Sequence, residues 1–131
     1  MEKEILPLGN FMGVKKAKFD NARVVVLPVP YEGTVTYGSG TGGGPRAIIE
    51  ASSHVEFYDD ELDFEPYTLG IHTLPEVSED FKSPDEMFCH LKNMGVELAK
   101  SGKLLIMFGG EHSITPGMVA AFAEIYEGMS V

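Results

Sequence analysis

Cysteine is almost missing from this chain, and the one that occurs, Cys89, has no partner for an internal disulfide. A reducing compartment is the expected home of such a protein. Basic residues are scarce as well: 10 Lys and Arg stand against 20 Asp and Glu, for a formal net charge of −10. Nucleic acid, which demands a basic face, is excluded as a partner. A cationic small molecule is compatible with this charge, although an acidic surface by itself does little more than keep a protein soluble. No apolar run approaches the roughly 18 residues that a membrane span needs. The opening residues, Met1 to Pro7, contain no apolar signal-peptide core. A cytoplasmic protein that meets no membrane is therefore expected. No internal repeat, low-complexity tract or linker divides the 131 residues, so a single domain is expected.

What is present is an α/β pattern. Apolar residues make up 44% of the chain, and 15 Gly with 8 Pro suit a globular protein with long connections. Residues 1–22 mix charges with breakers and read as an irregular arm. Arg23 to Val29 is a continuous, β-branched apolar run, the signature of a strand covered on both faces. Pro28 and Pro30 donate no ladder hydrogen bond, so pairing should fade there. A glycine-rich loop, residues 30–44, leads into a helix that opens at Gly44-Pro45 and runs to about Ser53. Tyr67 to Thr73 reads as a second, short strand. Ser83-Pro84-Asp85-Glu86 combines a Ser N-cap, a first-turn Pro and the Glu of a capping box. Met87, Leu91, Met94 and Leu98 then recur at helical spacing as a core stripe, and Gly102 closes the helix. Lys103 to Phe108 is a further strand, followed by Gly109-Gly110-Glu111-His112 and a helix from Pro116 to about Tyr126. Strands alternating with helices predict a parallel sheet covered on both faces.

Few residues offer chemistry. Gly38, Gly40 and Gly43 satisfy G-x-G-x-x-G, and Asp63 follows twenty residues later, as in a dinucleotide fingerprint. That fingerprint needs its first glycine at the strand end, and here Pro30 to Tyr37 intervene. No Gly-Lys-Ser/Thr follows either, so nucleotide binding is not expected. Glu56, Asp59, Asp60, Glu61, Asp63 and Glu65 crowd one segment but lack the glycine and terminal glutamate of a Ca²⁺ loop; a solvated acidic connection is expected. Cys89 and His90 are adjacent on a helix and point about 100° apart, which denies them a nucleophile–base geometry. Cys89 is expected to be a half-buried packing residue. His54 and His72 have no ligand-spaced partner. His112 differs, because it follows a buried strand, and open α/β sheets bind ligands beyond the carboxyl ends of their strands. The two glycines before it let the backbone turn without a Cβ penalty.

The wording around His112 carries more. Gly109-Gly110-Glu111-His112-Ser113 resembles the first metal-ligand motif of the ureohydrolases, the family of arginases and agmatinases. Val26-Leu27-Pro28-Val29-Pro30-Tyr31-Glu32-Gly33-Thr34-Val35-Thr36-Tyr37, followed by Gly44-Pro45-Arg46-Ala47-Ile48, is similar to the N-terminal strand, loop and first helix of bacterial and archaeal agmatinases. The resemblance implies an arginase-like α/β fold, a three-layer sandwich around a mostly parallel β-sheet. It implies a homo-oligomeric hydrolase that uses two Mn²⁺ ions to convert agmatine into putrescine and urea, with His112 as a ligand of one ion. Glu111 stands where many relatives carry Asp, which keeps the charge.

The family's later ligand motifs, Asp-Ala-His-x-Asp and Asp-x-Asp-x-x-Asp, do not occur here. Met129-Ser130-Val131 reads as the opening of the strand that would deliver the first of them. Residues 1–131 are thus expected to form a single partial domain, the truncated N-terminal half of a ureohydrolase. This chain alone would hold no catalytic acid or base and no cofactor-binding residue apart from His112, and would be inactive. An arginase or another guanidino-acid ureohydrolase remains an alternative. So does a non-catalytic interaction protein whose unfinished sheet binds a partner.

Overall fold

A computed structural model describes residues 8–77 and 80–130. Its three strands are β1 (Val24–Val29), β2 (Ile71–Thr73) and β3 (Leu104–Gly109), and its three helices are α1 (Gly44–Ser52), α2 (Pro84–Lys100) and α3 (Thr115–Ile125). The strands form one parallel sheet in the order β2-β1-β3. Every residue of β1 is buried, as its unbroken apolar run requires. Because side chains alternate across a strand, β1 feeds two cores. Val25, Leu27 and Val29 meet Met87, Leu91, Leu98, Ile114 and Met118 from α2 and the segment leading through α3. Val24 and Val26 meet Met12, Ile49 and Ile71 on the opposite face. The result is helix, sheet and helix in three layers, the α/β sandwich expected from the alternation of elements.

Pro28 sits in the central strand, and the register explains why it is tolerated. Pairing with β2 ends at Val26↔Thr73, whereas pairing with β3 continues through Pro28↔Phe108 to Val29↔Gly109. Beyond β2 the ladder is replaced by single bonds, in which Leu74 and Val77 amides donate to the carbonyls of Val26 and Pro28. Pro28 accepts on the β2 side, so its missing N–H also faces the side where the partner strand has already ended. Pairing fades on one side only.

The second strand is shorter than the sequence suggested. Pro66–Leu69 is a 3₁₀ turn and only Ile71–Thr73 pairs, because Gly70 breaks the extended path with φ 78°. The arm preceding β1 is irregular, as expected, over its described part. It is nevertheless tied down: the Phe11 amide donates to Thr73 Oγ1 at 2.9 Å and the Met12 amide to buried Ser52 Oγ at 2.7 Å. Residues 1–7 lie outside the described residues, as does Val131, so the strand expected at 129–131 has only Met129 and Ser130 described, neither in regular structure. Among the described residues β3 pairs with β1 alone, and Leu104 on it is 62% exposed.

The start of α2 follows its sequence signal with one change. Ser83 Oγ accepts from the Glu86 amide at 3.1 Å, while the Glu86 carboxylate reaches back to the Lys82 amide at 2.8 Å rather than to that of Ser83. The Glu86 and Lys82 amides are satisfied in this way. Ser83→Ala is expected to cost about 1 kcal/mol, read as a lowered midpoint of thermal denaturation. Cys89, expected to be half-buried, is exposed on α2, since Met87 and Leu91 take the inward positions of that turn. The acidic segment after α1 is solvated but not purely polar: Val55, Phe57, Tyr58 and Leu62 are exposed among its carboxylates. Among the described residues no helix is long and apolar enough to cross a membrane.

Candidate functional site

The carboxyl end of β3 runs through Gly109 and Gly110 into a 3₁₀ turn, His112–Ile114, which leads directly into α3. Buried Ile114 anchors that turn in the core, and His112 is exposed at its start. No hydrogen bond to its imidazole forms among the described residues, so both ring nitrogens are available. The two glycines before it answer to different neighbours: a Cβ on Gly109 would strike Ile114 and the Glu111 carbonyl of the turn itself. Neither has a positive φ. A Cβ on Gly110 would instead fall well inside contact distance of the Tyr31 carbonyl oxygen and 3.0 Å from the Gly42 backbone. Gly110 is glycine because the glycine loop of residues 30–44 packs against it, backbone on backbone.

Two carboxylates organise this junction. Glu32 Oε2 accepts from the amides of Gly40 and Gly42, each at 2.8 Å, and from the Thr41 hydroxyl at 3.4 Å. The hydrogen bonds from the Gly42 and Gly40 amides hold its carboxyl below the ordinary glutamate value, against a small contribution from burial. Glu111 Oε1 accepts from the Thr34 amide at 3.1 Å, the Thr34 hydroxyl at 2.6 Å and the Ser113 hydroxyl at 2.6 Å. Burial pushes the Glu111 carboxyl up. The bonds from Ser113 and Thr34, with the nearby His112, outweigh it and leave the group below its ordinary value.

The loop's resemblance to a phosphate cradle is resolved by the same contacts. The Gly40 and Gly42 amides, which a phosphate would need, are given to Glu32. Since the folded carboxyl titrates lower than a free one, its contribution is fully present above the ordinary glutamate range and is lost as pH falls through the depressed value. The Gly40 and Gly42 amide shifts are expected to titrate together in NMR, with a midpoint below that range. Glu32→Gln should abolish the titration. Amides that shift at an unperturbed glutamate pKa, or still shift in the variant, would show that Glu32 does not hold the loop.

Between the two loops lies a cleft of about 530 Å³, lined by Thr34, Val35, Thr36, Tyr37, Thr41, Gly110, Glu111, His112 and Ser113. A larger hollow, about 670 Å³, opens between α2 and the segment after β2. Its walls, including Leu27, Leu74, Val77 and Leu98, are mostly apolar, and the site chemistry lies elsewhere. His54 and His90 are exposed on other surfaces, and His90 packs its ring 5.3 Å from that of Phe81. His72 is structural: its Nδ1 lies 2.8 Å from the Ala17 carbonyl, and Phe19 meets its ring edge-on. Among the described residues no three His, Cys, Asp or Glu side chains converge to hold a metal. His112 therefore stands as a single candidate ligand. Sequence reasoning found it but missed the role of Glu32, for which no local signal exists, because its partners lie eight to ten residues away across a loop.

The family model described as the arginase family matches residues 22–131. The chain belongs to the arginase family. It is 39% identical over 108 residues to an N(1)-aminopropylagmatine ureohydrolase of Synechocystis, covering 79% of this chain and 35% of that protein. A protein of the same description from Thermus thermophilus is 36% identical over 112 residues, covering 86% and 38%. The crystal structure of an agmatine ureohydrolase from Thermoplasma volcanium superposes with a TM-score of 0.78 at 25% identity, covering 90% of this chain and 39% of that one. This arginase-family chain thus spans well under half the length of these relatives, and its three-layer fold is theirs over the shared part.

Proposed function

We propose that this arginase-family chain carries part of the active site of a ureohydrolase acting on a linear alkylguanidine, with agmatine or N(1)-aminopropylagmatine as substrate. The observation that carries this reading is an exposed imidazole, His112, with both nitrogens unengaged, at the carboxyl end of a parallel strand and inside a cleft. Relatives 31–39% identical to it over the aligned residues are named N(1)-aminopropylagmatine ureohydrolase, whereas three named agmatinase are 22–26% identical. The longer polyamine is accordingly the first substrate to assay.

The donor set fits one ligand of a metal centre. A neutral imidazole suits divalent first-row metals, and oxygen-rich partners favour manganese over zinc. One imidazole cannot hold two ions, so the remaining ligands would come from sequence outside this chain, and the chain alone is expected to release no urea. Guanidinium is a poor electrophile because its charge spreads over three nitrogens. Two bound Mn²⁺ ions would supply a potent oxygen nucleophile near neutral pH. The residues here would do the rest locally: His112 would fix one metal position, and the Thr34–Tyr37 segment would flank the substrate.

The test is urea release by the full-length, Mn²⁺-loaded protein from N(1)-aminopropylagmatine, agmatine, arginine and guanidinobutyrate. Turnover of one of the first two is the expected result. Absence of urea from every guanidine in the panel would refute the reading.

A further inference from the structure

The glycine loop is held at two points, and the second of them reaches the functional turn. Glu32 closes the loop on itself through Gly40, Thr41 and Gly42. Glu111 ties the loop's rising limb to the His112 turn: one carboxylate oxygen takes both hydrogen-bonding groups of Thr34 and the hydroxyl of Ser113. Thr34 is 77 residues away in sequence, so nothing local creates this link. Between the two anchors the segment is otherwise thinly supported. Thr36 is exposed and Tyr37 is 98% exposed at the rim of the cleft. A wall with so little packing keeps its place only through its anchors.

The geometry points to Glu111 as a positioning residue: acting through Thr34, it seats the Thr34–Tyr37 segment as the cleft wall beside His112, and so sets how tightly the cleft grips its guanidine substrate. This rests on the ureohydrolase reading for the nature of the substrate, but not for the existence of the link. Glu111 Oε1 is committed to this link, accepting three hydrogen bonds, although the residue also lines the cleft. Its effect is on binding rather than on the reacting atoms, so it belongs in KM. The link also explains why a long acidic side chain suits position 111. The carboxylate reaches from the His112 turn to a limb that leaves the carboxyl end of the neighbouring strand, β1.

The test uses the full-length, Mn²⁺-loaded protein with Thr34→Val, Thr34→Ser and Ser113→Ala. Thr34→Val deletes the 2.6 Å bond while leaving Glu111 and His112 untouched. Backbone amide exchange over residues 33–41 is expected to rise about tenfold, the size of one lost hydrogen bond to a charged acceptor. KM should rise by about the same factor, with kcat within about twofold and bound manganese unchanged. Thr34→Ser, which restores the hydroxyl, should return both readings to wild type. Ser113→Ala keeps both Thr34 bonds and should move exchange over 33–41 less than Thr34→Val does. Unchanged exchange in Thr34→Val overturns the proposal, as does a joint fall in kcat and bound metal at constant KM. If the wild type releases urea from no guanidine, the functional reading fails, while the exchange data still decide whether Glu111 holds the wall.

Discussion

Replacing His112 by alanine in the full-length protein is expected to reduce urea release by orders of magnitude while leaving the fold intact. The loss should lie well beyond the roughly 10–100-fold typical of removing a residue that merely supports a ligand, because a coordinating nitrogen has no substitute within reach. Among the described residues no group of three His, Cys, Asp or Glu side chains stands ready to take over. Stability should change by no more than about 0.5 kcal/mol, since the side chain is exposed and makes no hydrogen bond among the described residues. His54→Ala and His90→Ala, both at exposed positions away from the cleft, are the matched controls and should retain near-normal turnover. Manganese dependence sharpens the measurement: the variant should need more Mn²⁺ for whatever activity remains. Near-normal urea release from His112→Ala at sub-saturating Mn²⁺ would sink the ligand assignment.

Gly110→Ala is expected to be the most damaging single methyl addition near the site. A Cβ there points at the Tyr31 carbonyl oxygen and at the Gly42 backbone. Neither obstacle can swing aside as a flexible side chain would, so one of the two loops must move. Forced overpacking typically costs about 1–3 kcal/mol, and two backbone obstacles put this case near 3 kcal/mol. The displacement also falls on the junction that Glu111 and Thr34 hold, and His112 is two residues away. Turnover should therefore drop along with the thermal midpoint. Gly43→Ala is the contrasting control. Its Cβ would meet nothing within 4 Å and its φ is −73°, so it should be neutral or slightly stabilising. Equal behaviour of the two variants would mean that the close approach of the loops is not what requires a glycine at position 110.

Much of this protein is legible in its sequence. The apolar run of β1, the Ser83 cap and stripe of α2, and the strand whose carboxyl end delivers His112 all declare themselves within a few residues. Local geometry explains this: strand alternation, helical spacing and end-capping act over separations of about two to four residues. The family signature around His112 was equally local, and with it came the fold. The expectation that the glycines before His112 let the backbone turn without a Cβ penalty holds for Gly109, whose Cβ would strike Ile114 and the Glu111 carbonyl of that turn, but not for Gly110. Their φ values are ordinary, and the space that Gly110 leaves is filled by a loop from another part of the chain.

What only the tertiary structure decided are the relations between distant segments. No pattern in the sequence says that Pro28 lies where β2 has already ended, which is what makes a proline acceptable in a central strand. Nor does any pattern pair Glu111 with Thr34, or give the Gly40 and Gly42 amides to Glu32. In sequence the glycine loop looks like a phosphate cradle, and in space its own carboxylate takes the amides a phosphate would use. The Glu111–Thr34 link exists because β1 and β3 lie side by side in parallel, so the loops leaving their carboxyl ends emerge next to each other. The sequence alone determined β1, β3, the helices and the histidine at a strand end. The adjacency of two loops nearly eighty residues apart, and hence the cleft between them, was decided when the sheet formed, because hydrogen bonds across that distance depend on register and packing rather than on neighbours in the chain.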